Sequence, residues 1–120
     1  LIIETDPLRL QQIVINLVNN ALKFTPPGGK ITIGFEKDIE DKCVLISVTD
    51  TGRGIPTEKH QDVFKRFEKL DEFIQGTGLG LSICKLTINY MGGDIWIDRA
   101  YTDGARFVFS HPLTQADRKA

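Results

Sequence analysis

Apolar residues near the start of the chain recur every three or four positions. Leu10, Ile13, Val14, Leu17, Val18 and Ala21 keep that spacing, which predicts an amphipathic helix running to about Phe24. Asp6-Pro7 marks its start: an aspartate at the N-cap accepts from open first-turn amides, and proline suits the first helical position. Pro26-Pro27-Gly28-Gly29 stops it, and Ile2-Ile3-Glu4 ahead of it reads as a short strand or lead-in. The period then changes to two. Ile31, Ile33 and Phe35 alternate with Thr32 and Gly34, and Val44, Ile46 and Val48 alternate beyond a charged connection from Lys37 to Lys42. Two half-buried antiparallel strands are expected there.

Asp50 to Pro56 reads as a loop, and Thr57 as the cap of a short helix holding Val63, Phe64 and Phe67. Lys69 to Gly78 reads as a flexible loop. A second long helix is expected from Leu79 to Met91, with Leu79, Ile83, Leu86 and Tyr90 along one side and Gly92-Gly93 as its stop. Ile95-Trp96-Ile97 and Phe107-Val108-Phe109 form a closing hairpin around Thr102-Asp103-Gly104. This order predicts an α+β fold: a two-layer α/β sandwich whose mixed, mainly antiparallel sheet carries helices on one face. Residues 1–113 read as the domain, and 114–120 as a polar tail or linker.

Length and charge narrow the class. A chain of 120 residues suits one domain with one core. Its formal net charge of −1 supplies no field to draw nucleic acid, so no such partner is expected. No apolar run approaches the roughly 20 residues of a membrane helix. Leu1-Ile2-Ile3-Glu4 lacks the basic start of a signal peptide. Without an initiating Met, the chain reads as an excised piece. Cys43 and Cys84 are read as buried thiols in preference to a disulfide. No Cys or His has zinc-ligand spacing, and His60 and His111 read as structural or surface residues.

Three segments carry candidate chemistry. Asn16, Asn20 and Lys23 fall within roughly 60° of one another on the first helix. Two carboxamide oxygens there suit Mg²⁺ and the lysine suits phosphate, although an exposed polar face has the same pattern. Asp50-Thr51-Gly52-Arg53-Gly54 follows a strand directly. A carboxylate in that place can accept from an exocyclic amine while glycines admit a flat ring, although a plain turn uses the same residues. Gly76-Thr77-Gly78-Leu79-Gly80-Leu81 leads into a helix, where free amides and the helix dipole favour polyphosphate. It is neither a Rossmann turn nor a Walker loop: no strand precedes it and no Gly-Lys-Ser/Thr follows.

In this order the segments resemble the ATP-binding domain shared by histidine kinases, gyrase, mismatch-repair ATPases and heat-shock chaperones, the Bergerat-type fold, from Asp6 to Leu113. Asn16 to Pro26 resembles the asparagine box of histidine kinases and Asp50 to Pro56 the first glycine box. Phe64-Lys65-Arg66-Phe67 resembles the phenylalanine box, and Gly76 to Leu81 the second glycine box. The resemblance implies ATP and Mg²⁺ as cofactors. It implies that Asn20, helped by Asn16, holds the metal, that Lys23 and Lys69 touch phosphate, and that Phe24 packs near adenine. Asp50 would accept from the adenine amine, Gly52 and Gly54 would pass close to the ring, and Gly76, Thr77, Gly78, Leu79 and Gly80 would line the phosphate side under a lid.

The resemblance also implies partners. The γ-phosphoryl would go to a histidine on a dimerisation and phosphoacceptor domain of the same full-length protein, with a response regulator receiver domain downstream. This piece alone would be monomeric and the full-length kinase a homodimer. The domain would be cytoplasmic, with inner-membrane anchoring open for the full-length protein. Gyrase-like relatives carry Glu where this chain has Asn16, and a carboxamide takes no proton at neutral pH. Slow hydrolysis is therefore expected, against the alternative of a free-standing ATPase. One departure stands out: Thr102-Asp103-Gly104-Ala105 lacks a glycine and a hydroxyl of the usual third glycine box. A degenerate signalling module that binds nucleotide without phosphoryl transfer is the alternative it leaves.

Overall fold

The computed structural model describes residues 3–65 and 80–113. Helix α1 spans Pro7–Phe24. The Asp6 carboxylate accepts from the Arg9 amide at 3.2 Å and pairs with the Arg9 side chain at 3.2 Å, satisfying one of the donors a helix start leaves open. Thr25 ends the helix in an extended conformation, as the residue before a proline prefers. Ile13, Leu17 and Ala21, four apart, make its buried face.

Four antiparallel strands follow: β1 (Ile31–Asp38), β2 (Cys43–Asp50), β3 (Ile95–Ile97) and β4 (Arg106–Pro112). Their spatial order is β1-β2-β4-β3. Pairing of Ile46 with Phe109 and of Val48 with Phe107 sets the central register. Those four side chains, with Val44, Ile95 and Ile97, meet Ile13, Leu17 and Ala21 in one core. The sheet with helices on one side is the expected two-layer architecture, and its described strands are all antiparallel.

Three local expectations need correction. The stretch after Pro56 is not one capped helix but two 3-10 turns, Thr57–Lys59 and Asp62–Phe64, and no side chain caps the first. Pro56 lacks an amide and holds extended angles just before it, which limits helical growth. The first strand reaches Asp38, so Lys37 and Asp38 of the charged connection belong to the strand and residues 39–42 form the turn.

Helix α2 (Gly80–Tyr90) buries Ser82, Cys84 and Ile88. Its apolar side behaves otherwise: Ile83 is 46 %, Leu86 66 % and Tyr90 76 % exposed. The side that packs carries Ser82, Cys84 and Ile88, and the Cys84 thiol reaches the Ile13 carbonyl of α1 at 3.9 Å. The Arg9 guanidinium covers the Tyr90 ring at 4.7 Å. Residues 66–79 and 114–120, with the Phe67 and tail expectations, lie outside the described residues. Among the described residues no helix is long and apolar enough to cross a membrane.

Both cysteines are free and buried. Burial pushes the Cys84 thiol up to about 11 from an ordinary 9.0, outweighing a hydrogen bond from Asn16 that pulls it down. A pKa raised on folding gives stability that is complete below the unfolded value and lost as pH rises through the folded one. The urea midpoint should therefore fall between pH 9.0 and about 11, and Cys84→Ala should flatten that fall while lowering the midpoint at neutral pH.

Candidate functional site

The alternation that points Val44, Ile46 and Val48 into the core continues by two to Asp50. The carboxylate at the end of β2 is therefore on the core side, only 2 % exposed. A charge in that position is costly unless hydrogen bonds replace water. Its Oδ1 accepts from the Gly52 amide at 2.9 Å and the Ala105 amide at 3.1 Å. The Asp50 amide donates to the Ala105 carbonyl at 2.9 Å, and the Tyr101 hydroxyl donates to the Asp50 carbonyl at 2.8 Å. No donor among the described residues reaches Oδ2, so half of a fixed acceptor is left for a ligand.

The loop after Asp50 is threaded where side chains do not fit. A Cβ on Gly52 would collide with the Phe24 carbonyl, and one on Gly104 with the Asp50 carbonyl. Gly54, at φ +76°, lies against the Gly104 carbonyl. Thr51 ties this loop to the start of β1: its hydroxyl accepts from the Lys30 amide at 2.8 Å and its amide donates to the Lys30 carbonyl at 3.1 Å. The end of α1, the loop and the β3–β4 turn thus converge on one carboxylate. Ala105, in the stretch that departs from the usual third glycine box, contributes its amide to this carboxylate.

Of the α1 residues, Asn16 and Asn20 are half-buried and Lys23 is exposed. Asn16 is engaged, accepting from Gln12 at 3.2 Å and bonding the Cys84 thiol. No hydrogen bond holds the Asn20 carboxamide among the described residues, so its side chain is the less engaged of the two. Among the described residues no three His, Cys, Asp or Glu gather to hold a metal. Carboxamide oxygens together with ligand phosphate do suit Mg²⁺, which favours a few hard oxygens over an all-protein cage. Gly80 opens α2, exposed, with open space around it. Lys69, Gly76, Thr77, Gly78 and Leu79 lie outside the described residues.

A cavity of about 330 Å³ is lined by Ile55, His60, Ile97, Arg99, Tyr101 and Gly104, among others. Arg53 and Gly54 line it too, so it opens beside the loop that follows Asp50, although neither Asp50 nor Asn20 lines it. The histidines brace the fold. His60 Nε2 donates to the Ile55 carbonyl at 2.9 Å, and His111 Nδ1 to the Pro112 carbonyl at 2.8 Å, with Nε2 bonded to Thr5 at 2.9 Å. Tyr101 and the Ala105 amide are missed by sequence reading. Tyr101 belongs to no motif, and Ala105 lies in the third glycine box stretch, which does not name Asp50 as its partner.

Tyr101→Phe removes one hydrogen bond to Asp50 and should cost about 0.5–1.5 kcal/mol. Gly104→Ala drives a side chain into backbone and should cost more, about 1–3 kcal/mol. Urea titration of the two variants checks the order.

Comparison with known proteins agrees with this geometry. The family model described as histidine kinase-, DNA gyrase B- and HSP90-like ATPase matches residues 5–115. The adaptive-response sensory kinase SasA of Synechococcus elongatus is 41 % identical over 110 residues, covering 90 % of this chain and 28 % of that protein. Sensor histidine kinase WalK of Bacillus subtilis is 38 % identical, covering 96 % of this chain and 20 % of that protein. The chain therefore spans less than a third of these relatives. The nucleotide-free catalytic domain of histidine kinase ThkA superposes with a TM-score of 0.82 at 39 % identity, covering 97 % of this chain and 74 % of that one. The chain belongs to the histidine kinase-, DNA gyrase B- and HSP90-like ATPase family, within it as an ATP-binding catalytic domain of the sensor histidine kinase type.

Proposed function

We propose that this domain binds ATP with Mg²⁺ and donates the γ-phosphoryl to a histidine on a dimerisation and phosphoacceptor domain of the same polypeptide. The observation that carries the reading is the Asp50 carboxylate, buried and anchored through Oδ1, with Oδ2 unclaimed among the described residues. That oxygen would accept from the adenine amine, with Gly52 and Gly54 passing beside the ring and Phe24 packing against it. Asn20, and Asn16 once released from Gln12, would hold Mg²⁺, which neutralises phosphate charge. Lys23 and Lys69 would touch phosphate, and Gly76, Thr77, Gly78, Leu79 and Gly80 would line it. Catalysis is then positioning and charge neutralisation.

Asn16 is unfit as a general base, which favours phosphoryl transfer over hydrolysis. A full-length homodimer, a downstream response regulator receiver domain and a cytoplasmic place for this domain complete the proposal. Membrane anchoring would fall to other segments. The test mixes the chain with γ-labelled ATP, Mg²⁺ and the phosphoacceptor domain of its own polypeptide. Acid-labile label should appear on the acceptor, fall at least tenfold with Asn20→Ala and vanish without Mg²⁺. Tight nucleotide binding with no label transferred would leave a signalling module and contradict the proposal.

A further inference from the structure

We infer that Arg53 positions the nucleotide base by gripping the Phe24 ring, an inference that rests on the nucleotide reading above. The Arg53 guanidinium carbon lies 4.6 Å from the Phe24 ring centroid, within the range where an aromatic face attracts a cation. Phe24 is the last residue of α1 and half-buried. Its carbonyl already meets Gly52 so closely that no Cβ fits between them. The loop therefore fixes the backbone of Phe24 through Gly52 and its side chain through Arg53.

With one face of the ring covered, a base can stack only on the other. Asp50 and Arg53, three residues apart on one loop, then set both base contacts: the acceptor directly and the ring through its grip. Arginine suits this better than lysine, because its planar guanidinium stacks where an ammonium is a point charge.

Calorimetry with a nonhydrolysable ATP analogue and Mg²⁺ tests this on wild type, Arg53→Gln, Phe24→Leu and the double variant. Loss of an exposed cation–π contact corresponds to about two- to fivefold weaker binding for Arg53→Gln. In the Phe24→Leu background the same change should have almost no effect, since coupled residues are non-additive. Arg53→Lys should retain part of the affinity. Should Phe24→Leu lower the melting temperature, Phe24→Met takes its place. Equal weakening in both backgrounds would mean that Arg53 acts without the ring, and no weakening in wild type would mean it does not act; either overturns the inference. Asp50→Ala in the same series separates the two readings. If it weakens binding while Arg53→Gln does not, only the role of Arg53 fails. If wild type does not bind, the nucleotide reading fails with it.

Discussion

Burying one carboxylate at the end of a core strand organises the rest of this domain. Asp50 would be intolerable at 2 % exposure without donors, and the donors it takes come from near and far along the later chain. Gly52, two residues on, and Ala105, more than fifty residues on, donate to the carboxylate, while the Tyr101 hydroxyl donates to the main-chain carbonyl of Asp50. Their hydrogen bonds join the β2 loop to the turn before β4. The strand ladder of Thr49 with Arg106 is extended by one step through the Asp50 amide and Ala105 carbonyl. What stabilises the sheet end also aims the free oxygen.

The second constraint is steric. Gly52 and Gly104 sit where the backbone of α1 and of β2 leave no space for a side chain. This brings the helix that carries Asn20 against the loop that carries Asp50. Two kinds of polar group then share one edge of the fold: a fixed carboxylate and a carboxamide with no hydrogen bond among the described residues. The core beneath them is ordinary in kind, with Ile13, Leu17, Ile46 and Phe109 almost fully enclosed. Close packing of that sort resists displacement, and it holds Asp50 and the end of α1 still relative to one another.

Much of this was legible in the residues. Asp6-Pro7 and Pro26 bounded α1 because caps and prolines act locally. Period-two alternation gave the strands and, carried one step beyond Val48, the inward direction of Asp50. Helix α2 was placed but its orientation was not: the spacing favours Ile83, Leu86 and Tyr90, while the side that packs carries Ser82, Cys84 and Ile88. Only the neighbouring helix carries that information. The same holds for Tyr101, whose hydroxyl finds Asp50 across more than fifty residues, and for the engagement of Asn16 with Gln12 and Cys84. Composition located the candidate groups; tertiary contacts decided which of them remain free.

The central claim is that Asp50 reads the exocyclic amine of adenine, and calorimetry with ATP and inosine triphosphate tests it most directly. Inosine carries a carbonyl oxygen where adenine carries the amine, so it would face the Asp50 carboxylate with an acceptor. The account predicts that wild type binds ATP at least tenfold more tightly and that Asp50→Ala largely erases the difference. Equal affinity of wild type for the two nucleotides would contradict it.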